Sequence, residues 1–173
     1  LVHRSRLQDV QSRLATMVAA LPFGDPGESA TVVGPVISEA SAVRIAEWIE
    51  AAVAAGARLL AGGERRGTVV PPTLLADVSD ATPLGCQEVF GPVMCIAPFD
   101  TLDEAIARVN ATPYGLSASL FTRDLGSAMQ YLRRIEVGLV RVNGDTTGVD
   151  PHAPFGGLKG SSSGSREQGR AAR

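Results

Sequence analysis

Apolar residues return along this chain with two different periods, and the switches between them divide it into elements. Over 5–21, Leu7, Val10, Leu14, Val18 and Leu21 recur every three or four positions. That spacing predicts one face of a helix, with Ser5 as its N-cap. The stretch 22–35 is broken by Pro22, Gly24, Pro26, Gly27, Gly34 and Pro35, and reads as an irregular connection. A second helix is predicted over 39–55, with Ser38 as N-cap, Val43, Ala46, Ile49 and Val53 as its core face, and Gly56 as a left-handed stop. Two apolar runs, ARLLA and TVVPPTLLA, flank the polar turn GGERRG and predict strands or extended edges. Pro71 and Pro72 exclude a central strand at their own positions, because proline donates no ladder hydrogen bond.

From Val93 the pattern sharpens into VMCIA, a helix, SASLF, a second helix and GLVRV. The first helix opens on Thr101 and Glu104 as a capping box, continues through Leu102, Ala105, Ile106 and Val109, and ends by Pro113. The second opens at Asp124 and is expected to bury Leu125, Ala128, Met129 and Leu132 before Gly138. Short strands joined by amphipathic helices predict an α/β fold, a mainly parallel sheet with flanking helices and right-handed crossovers. No internal repeat or second domain boundary is visible, and 173 residues fit one domain. Beyond Asn143 lies the long loop GDTTGVDPHAPFGGLKGSSSGS. A loop of that length is functional or disordered, and Phe155, two prolines and the lack of a charge run favour an ordered one.

Composition narrows the function. With 45% hydrophobic and 20% charged residues the chain is ordinary globular material, and its formal net charge of -2 supplies no broad basic surface for nucleic acid. Cys86 and Cys95 are too few for a disulfide framework and lack Cys-x-x-Cys spacing, so a reducing cytoplasm is the expected setting. No apolar run reaches the roughly 20 residues that cross a bilayer, and no signal peptide is legible. Leu1-Val2 reads as the tail of a strand and SREQGRAAR as a helix stopped in mid-turn, so the fold is expected to be incomplete at both ends.

Four groups of residues invite chemistry. Glu88, in Gln-Glu-Val-Phe-Gly-Pro ahead of VMCIA, is either a solvated or capping carboxylate or an acceptor for the vicinal hydroxyls of a ribose, since an ionised carboxylate only accepts. Cys86 and Cys95 are the thiols on offer, yet neither has a local cation or base to lower its pKa. Both read as structural, with Cys95 in the core of an apolar strand. His3 and His152 have no ligand cluster at metal spacing, so no metal site is expected. The run from Gly156 to Arg166 around Lys159 suggests a phosphate loop, but its spacing departs from G-x-x-x-x-G-K-[ST] and no strand leads into it. A tight loop entering a final helix at Arg166 is the simpler reading.

Taken in order, LVHRSRLQDV, FGDP, GPVISEA, GARLLAGGE, PPTLL, QEVFGPV, DEAIARVNATPYGLSASLFTRDL, GLVRVN and APFGGLKGSSSGSREQG resemble the aldehyde dehydrogenase superfamily over nearly the whole chain. QEVFGPV and PFGGLKGS at this separation are specific. The resemblance implies a partial catalytic domain of that type, NAD or NADP as cofactor, and a small-molecule aldehyde as substrate. It implies that Glu88 hydrogen-bonds the nicotinamide ribose and that Phe90 lies beside that end of the cofactor. Phe155 falls at an aromatic position of the aldehyde tunnel, and Val149 in the preceding loop that shapes substrate choice. In the family a cysteine thiolate attacks the aldehyde, hydride passes to NAD(P)+, and a glutamate activates the water that releases the acid.

The resemblance also implies what to expect elsewhere. The family nucleophile lies in a Gly-Gln-x-Cys segment upstream of Leu1, with the base and the oxyanion-holding asparagine further upstream. Cys86 and Cys95 do not align with that nucleophile, so no residue here is expected to be catalytic and the chain alone is expected to be inactive. The dinucleotide-binding half and a C-terminal oligomerisation strand are likewise expected to lie outside it, with the whole enzyme a homodimer or homotetramer. GLVRVNGDTTGVDPHAPFGG looks nearest to the branch acting on alpha-ketoglutaric semialdehyde (2,5-dioxopentanoate), whose oxygenated chain would suit Thr146, Thr147 and His152. Two other readings stand beside it: a fold-related acyl-phosphate or acyl-CoA reductase, and a noncatalytic binding or assembly module.

Overall fold

The computed structural model describes residues 1–148 and 154–163. The chain divides into two compact units, Leu1–Phe99 and Asp100–Arg173. The first unit runs through strand β1 (Val2–His3), a short 3-10 turn (Arg4–Arg6), helices α1 (Leu7–Ala19) and α2 (Glu39–Ala54), strands β2 (Arg58–Ala61) and β3 (Thr73–Ala76), the one-turn helix α3 (Pro83–Cys86), and strands β4 (Val93–Ile96) and β5 (Pro98–Phe99). β3 lies between β2 and β4, antiparallel to the first and parallel to the second. β1 pairs in parallel with β5.

β3 is the centre of this unit because all four of its residues are buried, as expected for a strand covered on both faces. The proline pair sits immediately before it, and the first free amide, that of Thr73, donates to the Pro92 carbonyl at 2.9 Å. Inside this buried strand the Thr73 hydroxyl donates to the Pro71 carbonyl at 2.8 Å and accepts from the Gly63 amide at 3.1 Å, so its burial leaves nothing unpaired.

α2 is capped as expected: Ser38 accepts from the Ser41 amide at 3.1 Å, and Gly56 takes φ +103°. Its buried face, however, is Ala42, Ile45, Ile49 and Ala52, and Val53 is exposed. The predicted stripe is therefore rotated by about one residue. EASAVRIAEWIEAAVA is apolar around much of its circumference, so periodicity permits either register. The observed face puts alanines at both ends of the contact, which lets the helix approach Ala57, Val70, Leu75 and Leu84 closely.

α1 also departs from expectation. Ser5 lies in the 3-10 turn, where its amide donates to His3 Nδ1 at 3.3 Å, and Arg6 stands at the helix start without a side-chain cap. The stripe Leu7, Val10, Leu14 and Val18 is half-buried, and no residue of α1 is fully enclosed among the described residues. Cys95 is a further correction: it is exposed rather than core, because β4 is at the margin of its sheet.

The second unit contains α4 (Leu102–Asn110), β6 (Ser117–Leu120), α5 (Leu125–Arg134) and β7 (Leu139–Val142), followed by a 3-10 turn (Lys159–Ser161). β6 and β7 pair in parallel, so β6-α5-β7 is the crossover unit foreseen from the sequence. Thr101 accepts from the Glu104 amide at 3.2 Å, while Glu104 reaches back to the amide of Asp100 at 2.9 Å. α5 is capped by Asp124, but it buries Ala128 and Tyr131, leaving Leu125, Met129 and Leu132 exposed. Of the predicted core face of α5, Ala128 is enclosed and the three larger residues are open. Among the described residues strand pairing is mainly parallel, three pairings of four, though it is divided among three short sheets. The helix expected at Arg166 lies outside the described residues, and among those described no helix is long and apolar enough to cross a membrane.

Candidate functional site

The segment 87–92 joins α3 to β4 and is held from three directions. At its start the Gln87 amide donates to the Pro83 carbonyl at 2.8 Å, closing the single turn of α3, and Gln87 itself is extended. In its middle the Val89 carbonyl accepts from Arg44 Nη2 at 2.8 Å, and the Val89 side chain packs on the core. At its end the Pro92 carbonyl is engaged by Thr73, and a Cβ built on Gly91 would come within 2.5 Å of Ile45 Cδ1. The guanidinium of Arg44 also lies 4.6 Å from the ring centroid of Trp48, a cation–π arrangement that fixes the arm before it reaches the carbonyl.

With Val89 turned inward, its two neighbours are left in solvent. Glu88 is exposed, and Phe90 is 78% exposed at φ +51°. A large aromatic side chain in left-handed backbone, standing in water, is doubly unfavourable by itself. An ionised carboxylate only accepts, so Glu88 can take hydrogen bonds from a ligand's hydroxyls, and the exposed ring two residues on offers an apolar face.

Cys86 is exposed at the end of the one-turn helix α3. Cys95 is exposed as a residue, yet burial of its thiol pushes the pKa up, so accessibility does not translate into reactivity.

In the second unit Phe155 is half-buried at the start of the Pro-Phe-Gly-Gly turn. That turn is bonded to 113–115: Leu158 N–H donates to the Gly115 carbonyl at 2.8 Å, Gly160 N–H to the Pro113 carbonyl at 2.9 Å, and Gly115 N–H to Ser161 Oγ at 3.0 Å. Gly157 has no room for a side chain, since a Cβ there would come within 2.6 Å of Ser161 Cβ. Lys159, the cation of the rejected phosphate-loop reading, donates to the Asn110 carbonyl at 2.5 Å and lies 3.2 Å from the Glu136 carboxylate. It therefore closes the end of α4 instead of facing a ligand.

The loop after β7 is also fastened to the sheet. Ser119 Oγ donates to the Gly144 carbonyl at 2.6 Å and Ser117 Oγ to that of Thr146 at 3.3 Å, and Thr146 and Thr147 are exposed. Val149 and His152 lie outside the described residues. Glu88 and Phe90 thus share one short segment of the first unit, and Phe155 belongs to the second. An open depression lined by Phe121, Thr122, Arg123 and Asn143 contains none of these predicted site residues. Sequence reasoning did not single out Arg44, Trp48 or the Asn110–Lys159 pair. The four-residue spacing of Arg44 and Trp48 on one helix was the available signal.

The profile of the aldehyde dehydrogenase family matches residues 1–173. A betaine aldehyde dehydrogenase of Cereibacter sphaeroides is 46% identical over 165 residues, covering 93% of this chain and 34% of that protein. An NAD(+) benzaldehyde dehydrogenase of Pseudomonas putida is 38% identical over 171 residues, covering 99% of this chain and 35% of its own length. Among solved structures, Mycobacterium tuberculosis aldehyde dehydrogenase complexed with NAD+ is similar at a TM-score of 0.88 and 35% identity, over 97% of this chain and 35% of that one. The chain spans about a third of the length of these relatives.

Proposed function

The chain belongs to the aldehyde dehydrogenase family, and from that membership we propose that it supplies cofactor and substrate contacts for NAD(P)-dependent oxidation of an aldehyde to a carboxylic acid. The observation that carries the reading is the family match along all 173 residues. Both compact units are assigned to one catalytic domain of this type. Glu88 is proposed to accept from the ribose hydroxyls next to the nicotinamide, and Phe90 to lie against that end of the cofactor. Their exposure, two residues apart on a pinned segment, supports the assignment. Phe155 and Val149 are proposed to face the aldehyde. The cofactor supplies the hydride acceptor. This chain's own residues bind and orient, and neither Cys86 nor Cys95 is given the covalent step.

For the substrate we favour alpha-ketoglutaric semialdehyde. The polar segment with Thr146 and Thr147 after β7 supports an oxygenated chain over an alkyl one, because exposed hydroxyls lose less on meeting polar groups than on being covered by methylenes. The relatives' names, betaine aldehyde and benzaldehyde, mark how widely substrates vary around this fold.

The test is aldehyde-dependent NAD(P)H formation, with these 173 residues in a polypeptide of the family's full length. Alpha-ketoglutaric semialdehyde, succinic semialdehyde and a simple aliphatic aldehyde are offered in turn. Preference for the first supports the substrate assignment, equal turnover of all three removes it, and no turnover of any aldehyde removes the oxidation itself.

A further inference from the structure

The geometry points to Arg44 as the positioning residue of the Glu88–Phe90 pair, an inference that rests on the cofactor role proposed for those two side chains. Arg44 donates to the carbonyl of Val89, the residue between them, at 2.8 Å. A peptide carbonyl fixed by a charged donor cannot rotate, and its direction sets the path of the backbone on both sides. Phe90 sits at φ +51°, a conformation an aromatic residue keeps only where the surroundings impose it. The Arg44–Val89 bond and the close approach of Gly91 to Ile45 are the two restraints bracketing Phe90, and both come from α2.

Arg44 is itself held in place. Its guanidinium stacks at 4.6 Å over Trp48, one turn along the same helix, and Trp48 packs against the core. The chain of restraint runs from core to Trp48 to Arg44 to the Val89 carbonyl, and so to the directions of Glu88 and Phe90. A planar guanidinium can stack and donate at once, whereas a lysine ammonium at this position can donate without stacking flat on the ring. Lysine should therefore restore part of the function.

The experiment compares the wild-type sequence with Arg44→Ala, Arg44→Lys and Glu88→Gln, each within a polypeptide of the family's full length. Amide hydrogen exchange is followed over 87–91, and nicotinamide mononucleotide is titrated while the amide resonances of Glu88 and Phe90 are monitored. Arg44→Ala is expected to speed exchange of the Gln87 amide, which donates to the Pro83 carbonyl at the start of this segment, about tenfold or more while the interior of β3 keeps its protection, because the charge-assisted bond that holds the segment is lost locally. The Kd for nicotinamide mononucleotide should rise about tenfold, with Arg44→Lys falling between. Glu88→Gln should weaken the ligand without loosening the segment.

Unchanged exchange in Arg44→Ala overturns the inference. So does a loosened segment that still binds nicotinamide mononucleotide with wild-type affinity. A wild-type chain that shows no response to the nucleotide, while Arg44→Ala loosens 87–91, supports the clamp and overturns the ribose role of Glu88. Loss of β3 protection in Arg44→Ala together with no recovery in Arg44→Lys assigns Arg44 to general stability and overturns its positioning role.

Discussion

Gly91→Ala adds a single methyl group at the place where the Glu88–Phe90 segment meets α2. The new Cβ would come within 2.5 Å of Ile45 Cδ1 and 3.4 Å of Ile45 Cγ1, and Ile45 is fully buried. Gly91 is not among the positive-φ residues, so the backbone accepts alanine and only the contact resists it. Overpacking of this kind costs about 1 to 3 kcal/mol. Alanine recovers about 0.4 to 1 kcal/mol by restricting the unfolded chain, which leaves a net loss of up to about 2.5 kcal/mol. Ile45→Val removes Cδ1 itself and alone should cost about 0.5 to 1.5 kcal/mol. In the double variant the clash is gone, so its loss should be smaller than the sum of the single losses by about 0.5 kcal/mol or more. Urea unfolding followed by fluorescence reads this directly, since Trp48 is the single tryptophan and sits on α2 beside the contact. Additive losses in the double variant would refute the packing account.

Three further outcomes follow from the same structure. Thr73→Val replaces the hydroxyl that donates to Pro71 and accepts from Gly63 deep in β3, and should cost about 1 to 3 kcal/mol in the same unfolding assay; no loss would mean that the bonds contribute nothing net. With a disulfide reagent at about pH 8, half a unit below an ordinary thiol pKa, Cys95 should be modified more slowly than Cys86, because burial pushes its thiol pKa up; faster modification of Cys95, read by peptide mass, would contradict this. The hydrogen bonds from Ser127, side chain first and then backbone, hold the Asp124 carboxyl below its ordinary value, so its contribution to α5 is present above the unfolded pKa of about 3.9 and is lost as pH falls through the lower folded one. Asp124→Asn keeps a capping oxygen but removes that titration. The stability difference between the two proteins should therefore shrink on acidification below about pH 4, and a constant difference would count against the bonded carboxylate.

Much of the local architecture was legible along the chain, and the reason is range. Ser38, Thr101 and Asp124 cap their helices, and Gly56 stops α2, because each such choice is settled by groups within about four residues. The parallel β6-α5-β7 unit followed from strand and helix periods. Residues read one at a time did not decide between a ribose contact and a solvated carboxylate at Glu88; the ordered blocks from FGDP to PFGGLKGS pointed to the family, and the family match over residues 1–173 shows the membership. What tertiary structure alone decided was which face of each element found a neighbour. α2 turned by about one residue from its expected face, α5 left Leu125, Met129 and Leu132 open, and Cys95 fell on a marginal strand. Such outcomes depend on groups far apart in sequence. Arg44 meets the Val89 carbonyl across 45 positions and Lys159 meets that of Asn110 across 49, and no period or motif records those distances. The side chains that hold the proposed site in shape became visible only once the chain had folded back on itself. The energy of such a contact exists only where packing brings the two groups together and removes the water between them.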